Sequence, residues 1–199
     1  MMYLKEYKIM ANTSILIKEE KRYTYQDYLH FSDDERWEII NGIVYDMSPA
    51  PKTKHQRIVI QFVRRLGDKI EQRGCTLFVA PTDVIFDNFN VVQPDVFVVC
   101  DKNKITEYNI QGAPDLIIEV ISVSTEKKDK NEKKALYEKF AVQEYVMVFP
   151  EKEYVERYCL TEGQYSSPEK LNWNEKLTFS LFNMELNLWE VFEKEINLP

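Results

Sequence analysis

The chain has 199 residues and a mass of 23.7 kDa, enough for one domain with a sizeable core. Hydrophobic residues make up 44 % and charged residues 30 %, which excludes wholesale disorder and fibrous repeats; the longest apolar runs, near residues 96–100 and 116–118, fall far short of the roughly 18 residues a membrane helix needs. The formal charge of -7 speaks at first against a nucleic-acid partner, yet residues 52–73 carry seven basic and two acidic groups and residues 126–139 six lysines against four acids, so charge is segregated. Such basic segments are either solvated helix faces or surfaces that meet phosphates.

Residues 1–20 read as an N-terminal extension and residues 21–199 as one domain, since no period, low-complexity tract or Pro/Gly-rich linker divides them. The first ten residues include Lys5, Glu6 and Lys8 and lack the apolar stretch of a secretory signal, so a cytoplasmic protein is expected. A short helix is predicted over residues 23–29. Trp37-Glu38-Ile39-Ile40 and Ile43-Val44-Tyr45-Asp46-Met47 flank Asn41-Gly42, a type I′ turn pair, and predict a hairpin. Pro49 and Pro51 break the second strand, and Ile58, Val59, Phe62, Val63, Leu66 and Ile70 trace the apolar stripe of a helix ending near Gly74. Strands are predicted over 76–86, 91–100 and 115–122, together forming a central sheet. Asp129 and Glu132 look like a capping box opening a second helix whose inner face is Leu136, Tyr137 and Phe140. A strand over 144–149 completes the core; a strand over 154–160, a turn-rich loop over 161–168 and a strand leading into a short helix over 177–192 follow. The order is that of a mixed α/β or α+β domain. Cys75, Cys100 and Cys159 lack the paired spacing of a zinc site or a disulfide framework and read as unpaired apolar fillers.

Charge also stands where a core should be. Glu119 interrupts the run from Leu116 to Ile121, and strand alternation puts it on the face of Ile117 and Ile121. A buried carboxylate persists when paired, hydrogen-bonded or metal-bound. Asp95 follows Pro94 at the mouth of the strand that begins with Val96, and one loop separates the two strands, so they can pair and bring both acids together. Lys133 lies on the stripe of Leu136, Tyr137 and Phe140 and therefore points inward, with Asp129 four residues earlier able to hold its ammonium; Lys134 and Glu138 face solvent. Two acids able to share a hard divalent cation, with a lysine beside them, suit metal-assisted phosphodiester hydrolysis. The plainer alternative is a buried Glu119–Lys133 ion pair with no chemistry.

These residues resemble a known family. Gln93-Pro94-Asp95, the run Ala113-Pro114-Asp115 through Glu119-Val120-Ile121-Ser122, Asp129 with Lys133 and Tyr137, and Val142-Gln143-Glu144-Tyr145 look like small bacterial restriction-endonuclease-like proteins of the PD-(D/E)XK nuclease superfamily. Trp37 to Gly42, Pro49 with His55-Gln56, and Ala80-Pro81 with Asp83-Val84 extend the resemblance to roughly residues 23–192. It implies a restriction-endonuclease-like core and a Mg²⁺ (or Mn²⁺) site, with Asp95 and Glu119 as metal ligands and Val120 lending its carbonyl. Ile121 stands where the superfamily lysine normally falls, and Lys133 matches a lysine migrated onto the following helix. Glu38 matches a further acid of the catalytic set. His55 is a weaker catalytic candidate that reads more readily as a structural hydrogen-bonder, and Asp83 and Ser122 read as groups that orient ligands or shape turns.

The leading expectation is thus a Mg²⁺-dependent endonuclease acting on DNA. The runner-up is an inactive module of the same fold that binds nucleic acid or a protein, which the acidic total charge favours. A homodimer built on Leu186, Leu188, Trp189 and Phe192 is a third reading, against the simpler one that these residues pack on their own domain.

Overall fold

The computed structural model describes residues 7–8, 17–18, 21–32, 35–47, 50–122 and 125–195. Most of the expected extension, and the strand break at Pro49, lie outside the described residues. Strands β1 (Tyr7–Lys8) and β2 (Ile17–Lys18) pair with each other. Helix α1 (Tyr25–Tyr28) is opened by a Thr24–Asp27 capping box. Strands β3 (Trp37–Ile40) and β4 (Ile43–Asp46) form the expected hairpin. Asn41 and Gly42 both have positive φ, 52° and 79°, as a type I′ turn demands, and a Cβ on Gly42 would stand 2.9 Å from that of Arg22. Helix α2 (Thr53–Glu71) buries Ile58, Phe62, Leu66 and Ile70.

The chain then makes β5 (Thr76–Val79), β6 (Val84–Asp87), β7 (Asn90–Val92), β8 (Val96–Val99), β9 (Ile110–Gln111) and β10 (Leu116–Val120). Two of the predicted strands are each divided between two sheets. The run over 76–86 breaks at the cis Ala80-Pro81 bond, and the run over 91–100 breaks at Pro94, because proline supplies no N–H to a ladder. After α3 (Glu126–Lys128), a π-helical turn (Asp129–Lys133) and α4 (Lys134–Lys139) come β11 (Glu144–Phe149), β12 (Tyr154–Thr161), β13 (Gln164–Tyr165), β14 (Glu169–Asn172), β15 (Lys176–Phe179), β16 (Met184–Asn187) and α5 (Leu188–Val191). The predicted loop over 161–168 therefore holds a tight turn and a short strand, and the predicted strand over 177–192 is a hairpin followed by α5.

The main sheet runs β13-β12-β11-β10-β8-β5, with β14 also on β12; β10 and β11 are parallel and the other neighbours antiparallel. A second sheet runs β4-β3-β7-β6-β9. The central strands β8, β10 and β11 are buried throughout, as strands covered on both faces are. On one face α2, α5 and the β15–β16 hairpin seal a mainly apolar layer that includes Val96, Leu116, Ile118, Leu186 and Leu188, with the buried Glu144 carboxylate at its edge accepting the Leu181 amide. On the other, Phe97, Ile117, Ile121, Tyr137 and Tyr145 meet Val84, Phe86 and Val92 of the second sheet.

Two local expectations are corrected. Cys75 and Cys100 are joined in a disulfide. The β5–β8 register, which pairs Thr76 with Val99, continues outward to set these two residues opposite each other, a relation that their spacing of 25 residues conceals. Their reading as unpaired apolar fillers falls with that pairing. Asp129 does not cap a helix: it is buried inside the π turn, and the helical segment already begins at Glu126. Lys134, expected in solvent, lies half-buried over the Tyr158 ring at 4.7 Å, and Glu138 accepts the Tyr165 amide. Among the described residues no helix is long and apolar enough to cross a membrane.

Candidate active site

The β8–β10 register pairs Val96 with Ile118, so the next pair outward is Asp95 with Glu119. Residues opposite one another in an antiparallel ladder project to the same side, and the two acids are tied crosswise. The Val120 amide donates to Asp95 Oδ2 at 2.8 Å, and the Asp95 amide donates to Glu119 Oε2 at 3.3 Å. His55, one turn into α2, places Nε2 3.1 Å from the same Asp95 Oδ2. Among the described residues Asp95 Oδ1 has no hydrogen-bond partner.

Lys133 reaches this pair from the π turn. Its Nζ lies 2.8 Å from Glu119 Oε1, 2.7 Å from Glu38 Oε1 and 3.9 Å from Asp129 Oδ1. The Tyr137 hydroxyl donates to Glu119 Oε1 at 2.8 Å, and the Gln93 amide donates to Glu38 Oε1 at 3.1 Å. A second ammonium, that of Lys128, sits 2.6 Å from Glu38 Oε2. Glu38, Glu119, Asp129 and Lys133 are all buried, whereas the Asp95 side chain keeps 18 % of its surface exposed, so the cluster opens toward solvent at Asp95.

The electrostatics follow from burial and number. Counted as ionised, Glu38, Asp95, Glu119 and Asp129 carry four negative charges against the two ammoniums of Lys128 and Lys133. Burial pushes the Glu119 carboxyl up, to about 8; Lys133 opposes the shift, and Asp95, Asp129 and Glu38 add to it. Burial also raises Asp129, against the pull of Lys133. Burial acts to raise Glu38 as well, but Lys133 and Lys128 outweigh it and hold that carboxyl below its ordinary range. Burial would favour neutral Lys133; the carboxylates of Glu119, Glu38 and Asp129 instead hold its ammonium well above the usual range.

This donor set fits a hard divalent cation. It offers a free Asp95 carboxylate oxygen and a Glu119 oxygen engaged only by a long 3.3 Å amide contact, in a cluster that holds more carboxyl groups than ammoniums. No group of three or more His, Cys, Asp or Glu side chains with metal-holding geometry occurs among the described residues. A cation held by Asp95 and Glu119 alone would take its remaining ligands from main-chain oxygen and water, as Mg²⁺ commonly does.

All the residues expected at the site lie in this one cluster: Asp95, Glu119, Lys133 and Glu38 by their side chains, Val120 through its backbone. Asp83 is further out, accepting from the Tyr28 hydroxyl at 2.7 Å and from Gln93 Nε2 at 2.9 Å. Ser122 engages the Thr125 hydroxyl. Reading the sequence missed Lys128 and the hydrogen-bonding role of Tyr137. Tyr137 was within reach, because it lies one turn from Lys133 on the same stripe and a buried phenol needs a partner. Helical spacing gives no such signal for Lys128.

A mixed sheet whose neighbouring strand ends present two facing acids, with a lysine beside them, is the arrangement that the resemblance to restriction-endonuclease-like proteins implies. The Uma2 family, described as "Putative restriction endonuclease", matches residues 23–188, and the chain belongs to that family. Protein sll1609 of Synechocystis sp. is 29 % identical over 184 residues, covering 88 % of this chain and 99 % of its own length. The crystal structure of a "putative nuclease belonging to DUF820" from Anabaena variabilis superposes with a TM-score of 0.72 at 19 % identity, covering 85 % of this chain and 97 % of the other. That likeness shows the shared fold.

Proposed function

We propose that the protein is a Mg²⁺- or Mn²⁺-dependent endonuclease that hydrolyses phosphodiester bonds in DNA. The observation that carries this reading is the Asp95–Glu119 pair with Lys133 against it: two acids latched at adjoining strand ends and open to solvent on one side. Asp95 and Glu119, with the Val120 carbonyl, would hold the cation. When bound, a divalent cation polarises the phosphate and lowers the pKa of a coordinated water.

The protein's own groups do the rest. The Val120 amide and His55 both engage Oδ2 of Asp95, which leaves Oδ1 for coordination and fixes the carboxylate's orientation. Tyr137 and Lys133 do the same for Glu119 through Oε1. Glu38 keeps Lys133 charged and aimed, and the ammonium offsets charge developing on the phosphate oxygens or orients the attacking water. A cytoplasmic setting belongs to the same reading, since DNA is the substrate.

Supercoiled plasmid incubated with Mg²⁺ or Mn²⁺ tests it. Wild type is expected to nick the plasmid and Asp95→Ala to leave it intact. Failure of wild type across plasmid, linear duplex and single-stranded substrates, or unchanged nicking by Asp95→Ala, overturns the reading in favour of a non-catalytic binding module.

A further inference from the structure

We propose that Lys128 is the residue that grips a nucleic-acid phosphate beside the acid cluster, a second ammonium brought there by the π turn that separates it from Lys133. This rests on the nuclease reading above and deepens it.

In a regular α-helix, residues five apart are rotated by roughly 500°, which leaves them about 140° out of line. Lys128 and Lys133 could not then share a target. Over Asp129–Lys133 the ladder instead closes from residue i to i+5, with the Lys134 amide donating to the Asp129 carbonyl, so residues five apart come nearly into register. The Tyr145 hydroxyl, buried on β11, donates to that same carbonyl at 3.2 Å and pins the turn from the sheet side. The result is two ammoniums on one carboxylate, Lys133 on Glu38 Oε1 and Lys128 on Glu38 Oε2.

The two lysines are not equivalent. Lys133 is 3 % exposed and surrounded by three carboxylates, so its donors are committed inward. Lys128 is 13 % exposed, rests 5.4 Å over the Tyr45 ring, and among the described residues has Glu38 as its one hydrogen-bond partner. An ammonium has three donors, so two remain for a phosphate oxygen arriving from solvent. The segment with the largest positive balance serves this purpose less well. On α2, Arg57 is bound by Glu193, Arg65 by Glu190 and Lys54 by Glu151, so acids already occupy much of that basic face.

The test measures binding of a fluorescent DNA duplex of about 20 base pairs, and of an RNA strand of the same sequence, to the full chain in EDTA at several salt concentrations; one phosphate contact fewer lowers the salt slope by about 0.9 on duplex DNA. Lys128→Met is expected to weaken binding about tenfold and to flatten the slope by about one, with Mn²⁺ binding retained by calorimetry, since removing a nearby ammonium does not weaken attraction for a cation. Lys128→Arg is expected to restore both readouts, and KM rather than kcat is expected to carry the Lys128→Met defect. Wild-type affinity and slope in Lys128→Met overturn the proposal. So does loss of Mn²⁺ binding and thermal stability that Arg does not repair, which marks Lys128 as structural only. Wild-type protein that cleaves while Lys128→Met keeps its KM removes this proposal alone; wild-type protein that neither binds nor cuts either probe removes the nuclease reading with it.

Discussion

Leu116, Ile118 and Val120 leave β10 on one side and join α2 and the C-terminal hairpin in a mainly apolar layer, where the buried acid Glu144 sits at the strand start opposite Leu116 and accepts the Leu181 amide. Ile117, Glu119 and Ile121 leave the same strand on the other side, where Glu119 meets Lys133, Tyr137 and Asp95. Successive residues of one strand thus enter environments of opposite chemistry. The first layer gains from apolar area removed from water, at about 25 cal/mol per Å². The second spends part of that gain on desolvating ions, whose mutual attraction at best offsets the loss.

Replacing Lys133 by Met should have the largest effect, because it strips both Glu38 and Glu119 of their shared ammonium. The expected cost is about 3–5 kcal/mol of stability, and cleavage should fall by about 10²–10³-fold. Chemical denaturation and plasmid nicking measure the two. Phe62→Ala on the apolar side should remove a similar 3–5 kcal/mol through the lost contacts and cavity. Its Mn²⁺ affinity should stay at the wild-type value, which calorimetry checks; a loss there would mean that the two faces are not independent.

A third expectation concerns protons. Burial raises the Glu119 carboxyl to about 8 in the metal-free protein, so its contribution to stability is fully present below the ordinary carboxylate range and is lost as pH rises through that value. A bound cation favours the ionised form. Metal binding should therefore release up to one proton at about pH 6.5 and much less at about pH 9, read from calorimetry in buffers of different ionisation heat. No proton release at the lower pH would place Glu119 among the ionised groups from the outset. The smallest change expected is Lys176→Ala, whose partner Glu185 is as exposed as itself, at 59 % against 58 %; stability should shift by less than about 1 kcal/mol, as a thermal melt would show.

Much of this cluster was legible before any coordinates, for reasons local to the chain. Strand alternation places Glu119 against its apolar neighbours, and helical spacing turns Lys133 inward. One connecting loop makes it natural for the strands behind Asp95 and Glu119 to pair. What escaped were relations that depend on departures from ideal geometry. Pro81 and Pro94 divide apparently continuous apolar runs between two sheets. Lys128 is excluded by any α-helical wheel and admitted by one π turn. Cys75 and Cys100 are far apart in spacing and adjacent in register.

The order of residues by itself determined the periodicities, the turn at Asn41-Gly42, the apolar stripe of α2 and the presence of ionisable groups inside buried segments, since all of these follow from side-chain type and local backbone preference. The tertiary structure decided which of those groups share a partner. Register between strands, and the hydrogen bond from Tyr145 that pins the π turn, set four acids and two lysines within reach of one another; such pairings arise from contacts between distant parts of the chain, which no local preference encodes.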